Sequence, residues 1–127
     1  MEHEELTGRV IGAAYAVYKV LGYGFLESVY ENALLIELRN RGVFVQNQQD
    51  IKVYYNGHVV GDFTADLFVE NSVIVELKSV RALHETHEVQ LVNYLKATGI
   101  NVGLLINFGE QRVEVKRKVR VLPAAVS

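Results

Sequence analysis

The 127 residues are half hydrophobic and 22% charged, with a net charge of −2 at pH 7, which is typical of a globular domain and excludes a disordered chain. Cysteine is absent, which excludes disulfides, thiolate metal sites and cysteine nucleophiles. The small net charge gives no general attraction to nucleic acid, so any DNA contact must depend on local basic patches. We expect one domain over residues 1–127. With no membrane-length apolar run and no leader pattern, we also expect a cytoplasmic protein with no membrane partner.

Two helices are predicted at the start of the chain. Apolar residues recur at helical spacing over residues 4–20, and the glycines of Leu21 to Gly24 interrupt that pattern. A second helix is predicted from about residue 26 to 41, ended by Gly42. Glu27 lies in its first turn, where an acidic side chain favours the helix dipole; that ordinary role would by itself explain the residue.

Five strands and a third helix are predicted to follow. Asn56-Gly57 is a strong signal for a tight hairpin, and Gly99 ends the third helix. The predicted order is α-α-β-β-β-α-β-β, an α/β fold with a mixed sheet flanked by helices. Its first three strands form an antiparallel meander, and the third helix crosses over to place the fourth strand beside them. The predicted strands are residues 43–55, 59–69, 73–80, 101–108 and 112–121, and the third helix is residues 83–97.

The second and third strands form a hairpin with the sequence D-L-F-V-E-N-S-V-I-V-E-L-K, from Asp66 to Lys78. Centring the turn on Asn71 places Asp66 directly opposite Glu76. Strict alternation then predicts one apolar face and one mixed face. The apolar face would carry Phe63, Ala65, Leu67, Val69, Val73, Val75 and Leu77, and the mixed face Thr64, Asp66, Phe68, Ile74, Glu76 and Lys78.

Two carboxylates facing each other across a sheet destabilise it, and half-buried carboxylates cost more unless they are paired or bind a metal. Lys78 lies on the same face as Glu76 and offsets part of this repulsion, and a divalent cation would offset the rest. The alternative is a structural ion-pair cluster, which is the better explanation for an arbitrary E-x-K. An Asp opposite that Glu, within apolar strands, is a rarer combination and favours a metal site.

The third helix carries polar side chains on one face, since His87, Gln90 and Tyr94 are three and four residues apart. From spacing alone, a solvated polar stripe explains them as well as a site does. His84, His87 and Glu88 also raise the alternative of a zinc site. That alternative is weak, because zinc sites need three well-placed protein ligands.

The last strand is basic, with Lys116, Lys118 and Arg120 alternating against valines. One interpretation is an edge strand that its lysines protect from aggregation. The other is a strip that contacts phosphates, and the two are compatible.

Taken together, these motifs resemble the PD-(D/E)XK nuclease superfamily, including its Holliday junction resolvase-like members. The hairpin matches the acid, acid and lysine motif of that family, although Ala65 stands where some members have proline. Gln90-x-x-x-Tyr94 is similar to the Q-x-x-x-Y element of the RecB-like branch. Gly24 to Tyr30 fits the G-x-x-E-x-x-Y pattern of the GxxExxY protein family. The resemblance covers residues 6–120 and implies a restriction-endonuclease-like fold.

The resemblance also implies roles for the site residues. Asp66 and Glu76 would bind Mg²⁺ or Mn²⁺, with the Leu77 carbonyl as a further ligand. Glu27 would be either another ligand or an acid behind the ligands. Lys78 would orient the attacking water and stabilise negative charge at the phosphate. The remaining two residues, Gln90 and Tyr94, would position that water or the scissile phosphate.

The activity that the resemblance implies is Mg²⁺-dependent DNA hydrolysis without a small-molecule cofactor. A chain of this size has little surface for reading a fixed sequence, so we expect cleavage directed by DNA structure or DNA ends. A homodimer would enlarge the contact surface. Alternatives are an inactive nuclease-fold module that binds nucleic acid or a protein partner, and a structural domain with a surface ion-pair cluster. The expected nucleic-acid contacts are Arg81, Lys96, Lys116, Lys118 and Arg120.

Overall fold

The computed structural model describes residues 2–120, and within that range the order of helices and strands is the one that the sequence predicts. No helix in this range is both long enough and apolar enough to cross a membrane. The elements are α1 (Glu4–Leu21), α2 (Glu27–Asn40), β1 (Val45–Tyr55), β2 (His58–Val69), β3 (Val73–Lys78), α3 (Glu85–Thr98), β4 (Val102–Phe108) and β5 (Val113–Val119).

The five strands form one mixed sheet in the order β1-β2-β3-β4-β5. β1, β2 and β3 are antiparallel neighbours, and β3 pairs in parallel with β4 after the chain crosses over through α3. β5 returns antiparallel beside β4 and forms the far edge of the sheet. This confirms the α/β class and the meander followed by a crossover helix.

Two apolar clusters cover the two faces of the sheet. The larger one packs α1 and α2 against the sheet and includes Tyr30, whose ring stacks on that of Phe108 at a centroid distance of 4.3 Å. The smaller one packs α3 against the opposite face through Leu91, Tyr94 and Leu95. Each large apolar side chain that is fully buried stabilises the fold by about 1.5–3 kcal/mol, so both layers hold the sheet that carries the site.

β3 ends at Lys78, two residues before the end that the sequence predicts. The side chain of buried Asn107 takes the place of a strand partner at Val80. It accepts a hydrogen bond from the Val80 N–H and donates one to the Val80 carbonyl, both at 2.9 Å. Asn107 also donates to Glu114 at 2.9 Å, so the chain that follows Lys78 is fixed to β4 and β5. The predicted last residue of β5, Val121, lies outside the described residues.

The prediction that β2 keeps one apolar face throughout is wrong. Leu67 and Val69 pack with α1 and α2, whereas Ala65 is buried in the α3 cluster and Phe63 contacts the ring of Tyr94. The strand therefore changes face at Asp66. The β1–β2 pairing passes from Asn47–Leu67 to Gln49–Ala65, and the residue that it omits on β1, Gln48, has a φ of 53°. That left-handed residue breaks the strict alternation on which the prediction depends.

Candidate active site

Asp66 and Glu76 lie where the β2–β3 ladder ends. The register centred on Asn71 is confirmed by the Leu67–Val75 pair, but the ladder stops there and does not extend to Asp66 and Glu76. Instead, the Leu77 N–H donates a hydrogen bond of 2.7 Å to Oδ2 of Asp66. Because the N–H and C=O of a strand residue point to the same edge, the Leu77 carbonyl is directed toward Asp66 as well. The strands part here, and carboxylate and carbonyl oxygens converge in the gap.

The contacts of the buried Glu76 carboxyl offset only part of the free-energy cost of removing it from water. It is only 7% exposed, and its Oε1 has no hydrogen-bond partner. Burial, and next the charge of Asp66, raise its pKa to about 8, against the lowering effects of an Asp66 backbone hydrogen bond and of Lys78. Burial also raises the pKa of Asp66, although the Leu77 hydrogen bond opposes this. Removing these carboxyls from water has a free-energy cost that a bound cation would offset.

Two further acids approach from α2. Glu27 is the first residue of that helix and Glu31 lies one turn later, and the charges of both raise the pKa of Asp66. Glu31 accepts a hydrogen bond of 2.7 Å from Nε2 of Gln48, which lies on β1 between the partners of Leu67 and Ala65. Sequence reasoning missed Glu31 and Gln48 as site residues. The spacing of four residues after Glu27 was the available signal for Glu31.

The protein ligands available to one cation are few. Among residues 2–120, no three histidine or acidic side chains come together as a metal cluster. The Asp66–Glu76 pair and the Leu77 carbonyl are the candidate ligands that the hairpin brings together. The role of Glu27 as a further ligand remains a prediction, since this exposed side chain is placed by its charge effect on Asp66.

α3 brings Gln90 and Tyr94 to the same site. Nε2 of Gln90 donates a hydrogen bond of 2.9 Å to the Tyr94 hydroxyl. Tyr94 is buried, and its pKa is raised by burial and then by the charges of Glu76 and Asp66, which places its hydroxyl within electrostatic range of the acidic pair. The alternative that the polar face of α3 is simply exposed to solvent therefore does not hold for Tyr94. Lys78 is close enough to lower the pKa values of both acids.

Tyr30 holds the chain that leads into Glu27 and does not itself reach the acids. Its buried hydroxyl donates a hydrogen bond to the Gly22 carbonyl and accepts one of 3.4 Å from the Phe25 N–H. The Ser79 hydroxyl donates a hydrogen bond of 2.7 Å to the Phe25 carbonyl, beside Lys78. Gly24 has a φ of 114°, which only glycine adopts readily. The G-x-x-E-x-x-Y segment thus fixes Glu27 relative to the end of β3.

The zinc alternative is not supported by the contacts of its candidate ligands. Nδ1 of His84 accepts a hydrogen bond of 3.2 Å from the Thr86 N–H at the start of α3. His87 accepts one of 3.2 Å from the His84 N–H, and Glu88 forms an ion pair of 2.7 Å with Lys118. These side chains cap α3 and join it to β5.

Three of the five basic residues expected to contact nucleic acid have partners within the protein. Arg81 is 3.3 Å from Glu110, Lys118 pairs with Glu88, and Arg120 donates a hydrogen bond of 2.9 Å to Asn101. Lys116 is exposed on the edge strand β5, and Lys96 is exposed on α3. The basic edge suits the protective interpretation, and the phosphate-contact role of all five residues remains a prediction.

Comparisons with known proteins identify a matching family model and a solved structure of similar fold. A family model described as the PD-(D/E)XK nuclease superfamily matches residues 4–118. A search of curated proteins finds no match. The crystal structure of a protein designated SSO0001 is similar with a TM-score of 0.57 and 19% identity, over 95% of this chain and 61% of that protein. An alkaline exonuclease (LHK-Exo) from Laribacter hongkongensis aligns with a TM-score of 0.44 and 12% identity, over 94% of this chain and 82% of the exonuclease.

Proposed function

The chain belongs to the PD-(D/E)XK nuclease superfamily, and from this premise we propose that it is a divalent-metal-dependent nuclease that hydrolyses DNA phosphodiester bonds, directed by DNA structure or DNA ends. The observation that carries the proposal is the buried Glu76 carboxyl, with an unpartnered Oε1, beside the half-buried Asp66 and next to Lys78. Within the superfamily, we assign the chain to the GxxExxY family on Gly24, Glu27 and Tyr30.

The residues present suit a hard divalent ion. Carboxylates of Asp66 and Glu76 and the carbonyl of Leu77 are the oxygen ligands that Mg²⁺ and Mn²⁺ prefer, and such ions keep positions for water and phosphate. Oε1 of Glu76, which has no hydrogen-bond partner, is a buried oxygen atom that could serve as a ligand of such an ion. When bound, the ion would lower the pKa of a water molecule and offset negative charge on the phosphate.

The protein's own side chains would then orient the reactants. The Lys78 ammonium would donate hydrogen bonds to the attacking water and to a phosphoryl oxygen, where it stabilises the charge that develops in the transition state. The Tyr94 hydroxyl, held by Gln90, would donate to the scissile phosphate. Glu27 would orient water from α2. The oxygen of the attacking water would bond to phosphorus as the bond from phosphorus to O3′ breaks. O3′ would take up a proton, so that the products are a 5′-phosphate end and a 3′-hydroxyl end.

A cleavage assay tests this function. We expect the wild type to cut at least one of single-stranded, flapped, branched and duplex DNA with Mg²⁺ or Mn²⁺, and none of them in EDTA. Asp66→Ala is expected to lower the rate on the order of 10³-fold, because it removes a group on which the whole site depends.

The matched control is Asp62→Ala, which removes an exposed carboxylate of the same strand that pairs with Lys52 at 2.8 Å. This variant should cleave like the wild type. If every DNA remains intact while DNA binding persists in Asp66→Ala, the enzyme interpretation fails and the inactive binding module is the correct one. If the wild type neither cleaves nor binds DNA, the binding partner is a protein and not DNA.

A further inference from the structure

An open groove of about 880 Å³ lies beside the acidic site, between α3 and the long β1–β2 hairpin. Its strand wall carries the rings of Tyr54 and Phe63. Its helix wall carries Gln90, Asn93, Tyr94 and Lys96. The volume lies within the range of ligand-binding cavities, so the groove has room for a ligand next to the site.

The groove and the acidic site are linked by Tyr94 and Gln90 of α3. Tyr94 belongs to both, since its hydroxyl lies within electrostatic range of Asp66 and Glu76 while its ring is 5.6 Å from the ring of Phe63. Gln90, which donates to that hydroxyl, lines the groove as well. A polynucleotide with its phosphate at the acidic pair would therefore have a neighbouring nucleotide at the groove.

The chemistry of the groove suits nucleobases. Tyr54 is 62% exposed and Phe63 is 43% exposed, so their ring faces are open to stacking. The Asn93 amide can donate to and accept from base edges, and the Lys96 ammonium can contact a phosphate. Among the described residues that line the groove there is no acidic side chain, in contrast to the adjacent site. Exposed aromatic rings beside a cation are the features that bind single strands without sequence preference.

We propose that this groove binds the unstacked bases of a single-stranded DNA segment adjoining the cleaved bond, with Tyr54 and Phe63 as stacking surfaces and Lys96 at the backbone. The inference rests on the proposed nuclease function and narrows its substrates. Bases inside a duplex are stacked and paired and cannot reach a lateral groove, so the substrates would be single-stranded ends, flaps or frayed junctions.

A second copy of the chain is the main competing occupant. β1 is an edge strand of the sheet, and neighbouring Tyr55 is also exposed, so the hairpin offers surface to another chain. The polar helix wall, and the Gln90 and Tyr94 side chains that the groove shares with the candidate active site, favour the polynucleotide. The oligomeric state of the wild type and of each variant is therefore measured alongside oligo-dT affinity.

The test is fluorescence anisotropy with labelled oligo-dT in EDTA, so that neither cleavage nor metal contributes. We expect Tyr54→Leu and Phe63→Leu each to weaken binding roughly tenfold, since stacking of one base is worth about 1–3 kcal/mol. Leucine keeps the apolar contact with α3 and removes the aromatic face, and Phe63→Trp should retain affinity. The matched control is Tyr15→Leu, at a 53% exposed tyrosine of α1, the helix on the other face of the sheet. This control should bind like the wild type.

Several outcomes would overturn the inference. These are no oligo-dT binding by the wild type, unchanged affinity in both leucine variants, or equal losses on oligo-dT and blunt duplex. A dimer of the wild type that becomes monomeric in these variants, with oligo-dT affinity unchanged, would assign the groove to a second copy. The outcomes that refute binding in the groove differ from those that refute the nuclease function. Asp66-dependent cleavage with unchanged oligo-dT affinity in both Tyr54→Leu and Phe63→Leu refutes only the groove. Weakened oligo-dT binding in these variants, without cleavage by the wild type, refutes only the nuclease.

Discussion

Replacing Glu76 with glutamine is expected to stabilise the metal-free protein at pH 8 by up to about 4 kcal/mol. In the folded state, burial and the Asp66 charge raise the pKa of Glu76 to about 8, whereas the ordinary value is 4.5. Between these values the folded protein holds a proton that the unfolded chain has released. The free energy of unfolding of the wild type therefore falls as pH rises from about 4.5 to about 8. Glutamine does not titrate, so this fall should be absent in the variant.

Urea unfolding in EDTA at pH 5 and pH 8 measures this effect. The control is Glu5→Gln, at an exposed glutamate of α1, which should unfold like the wild type at both pH values. Without EDTA, saturating Mn²⁺ should reduce the difference in free energy of unfolding between Glu76→Gln and the wild type. An ion at 100 times its Kd stabilises the wild type by about 2.7 kcal/mol. A Glu76→Gln variant that is less stable than the wild type at pH 8 would instead identify Glu76 as half of a structural ion pair with Lys78.

Lys78→Ala is expected to lower the rate of DNA cleavage about 10²- to 10³-fold while sparing metal binding. The ammonium acts on the attacking water and on the charge that develops at phosphorus, and it is not a ligand of a cation. Its removal from the neighbourhood of Asp66 and Glu76 leaves the acids free to hold the ion. Asp66→Ala should lose cleavage and metal binding together.

Parallel cleavage and Mn²⁺ calorimetry separate the two roles. Lys52→Ala is the matched control, since it removes an exposed lysine that pairs with Asp50 and Asp62 on the hairpin and should change neither measurement. Loss of Mn²⁺ binding in Lys78→Ala would show that the lysine holds the acids in place. An unchanged cleavage rate would remove Lys78 from the chemistry.

The order of the elements and the hairpin register follow from local chemistry and are predictable from sequence. Apolar alternation identifies the strands, and the polar turn pins the register, because Glu70 and Asn71 both adopt the positive φ that a tight hairpin needs. The family motifs then identify Asp66, Glu76 and Lys78 before any contact is known.

What the sequence does not predict depends on neighbours from other elements. The face change at Asp66 coincides with the left-handed backbone of Gln48 on the adjacent strand, and no local sequence pattern predicts it. At the same point the Leu77 N–H bond to Asp66 replaces the expected ladder pair. The groove escapes prediction because Phe63 reaches Tyr94 only after β2 has changed face.

Anomalous diffraction from a crystal soaked in Mn²⁺ shows whether Asp66 and Glu76 hold a divalent ion. We expect an anomalous peak in contact with the carboxylates of Asp66 and Glu76 and with the Leu77 carbonyl. A crystal of Asp66→Ala soaked in the same way should lack that peak. The absence of a peak at this pair in the wild-type crystal, or a peak that persists in the Asp66→Ala crystal, would show that Asp66 and Glu76 do not hold the ion.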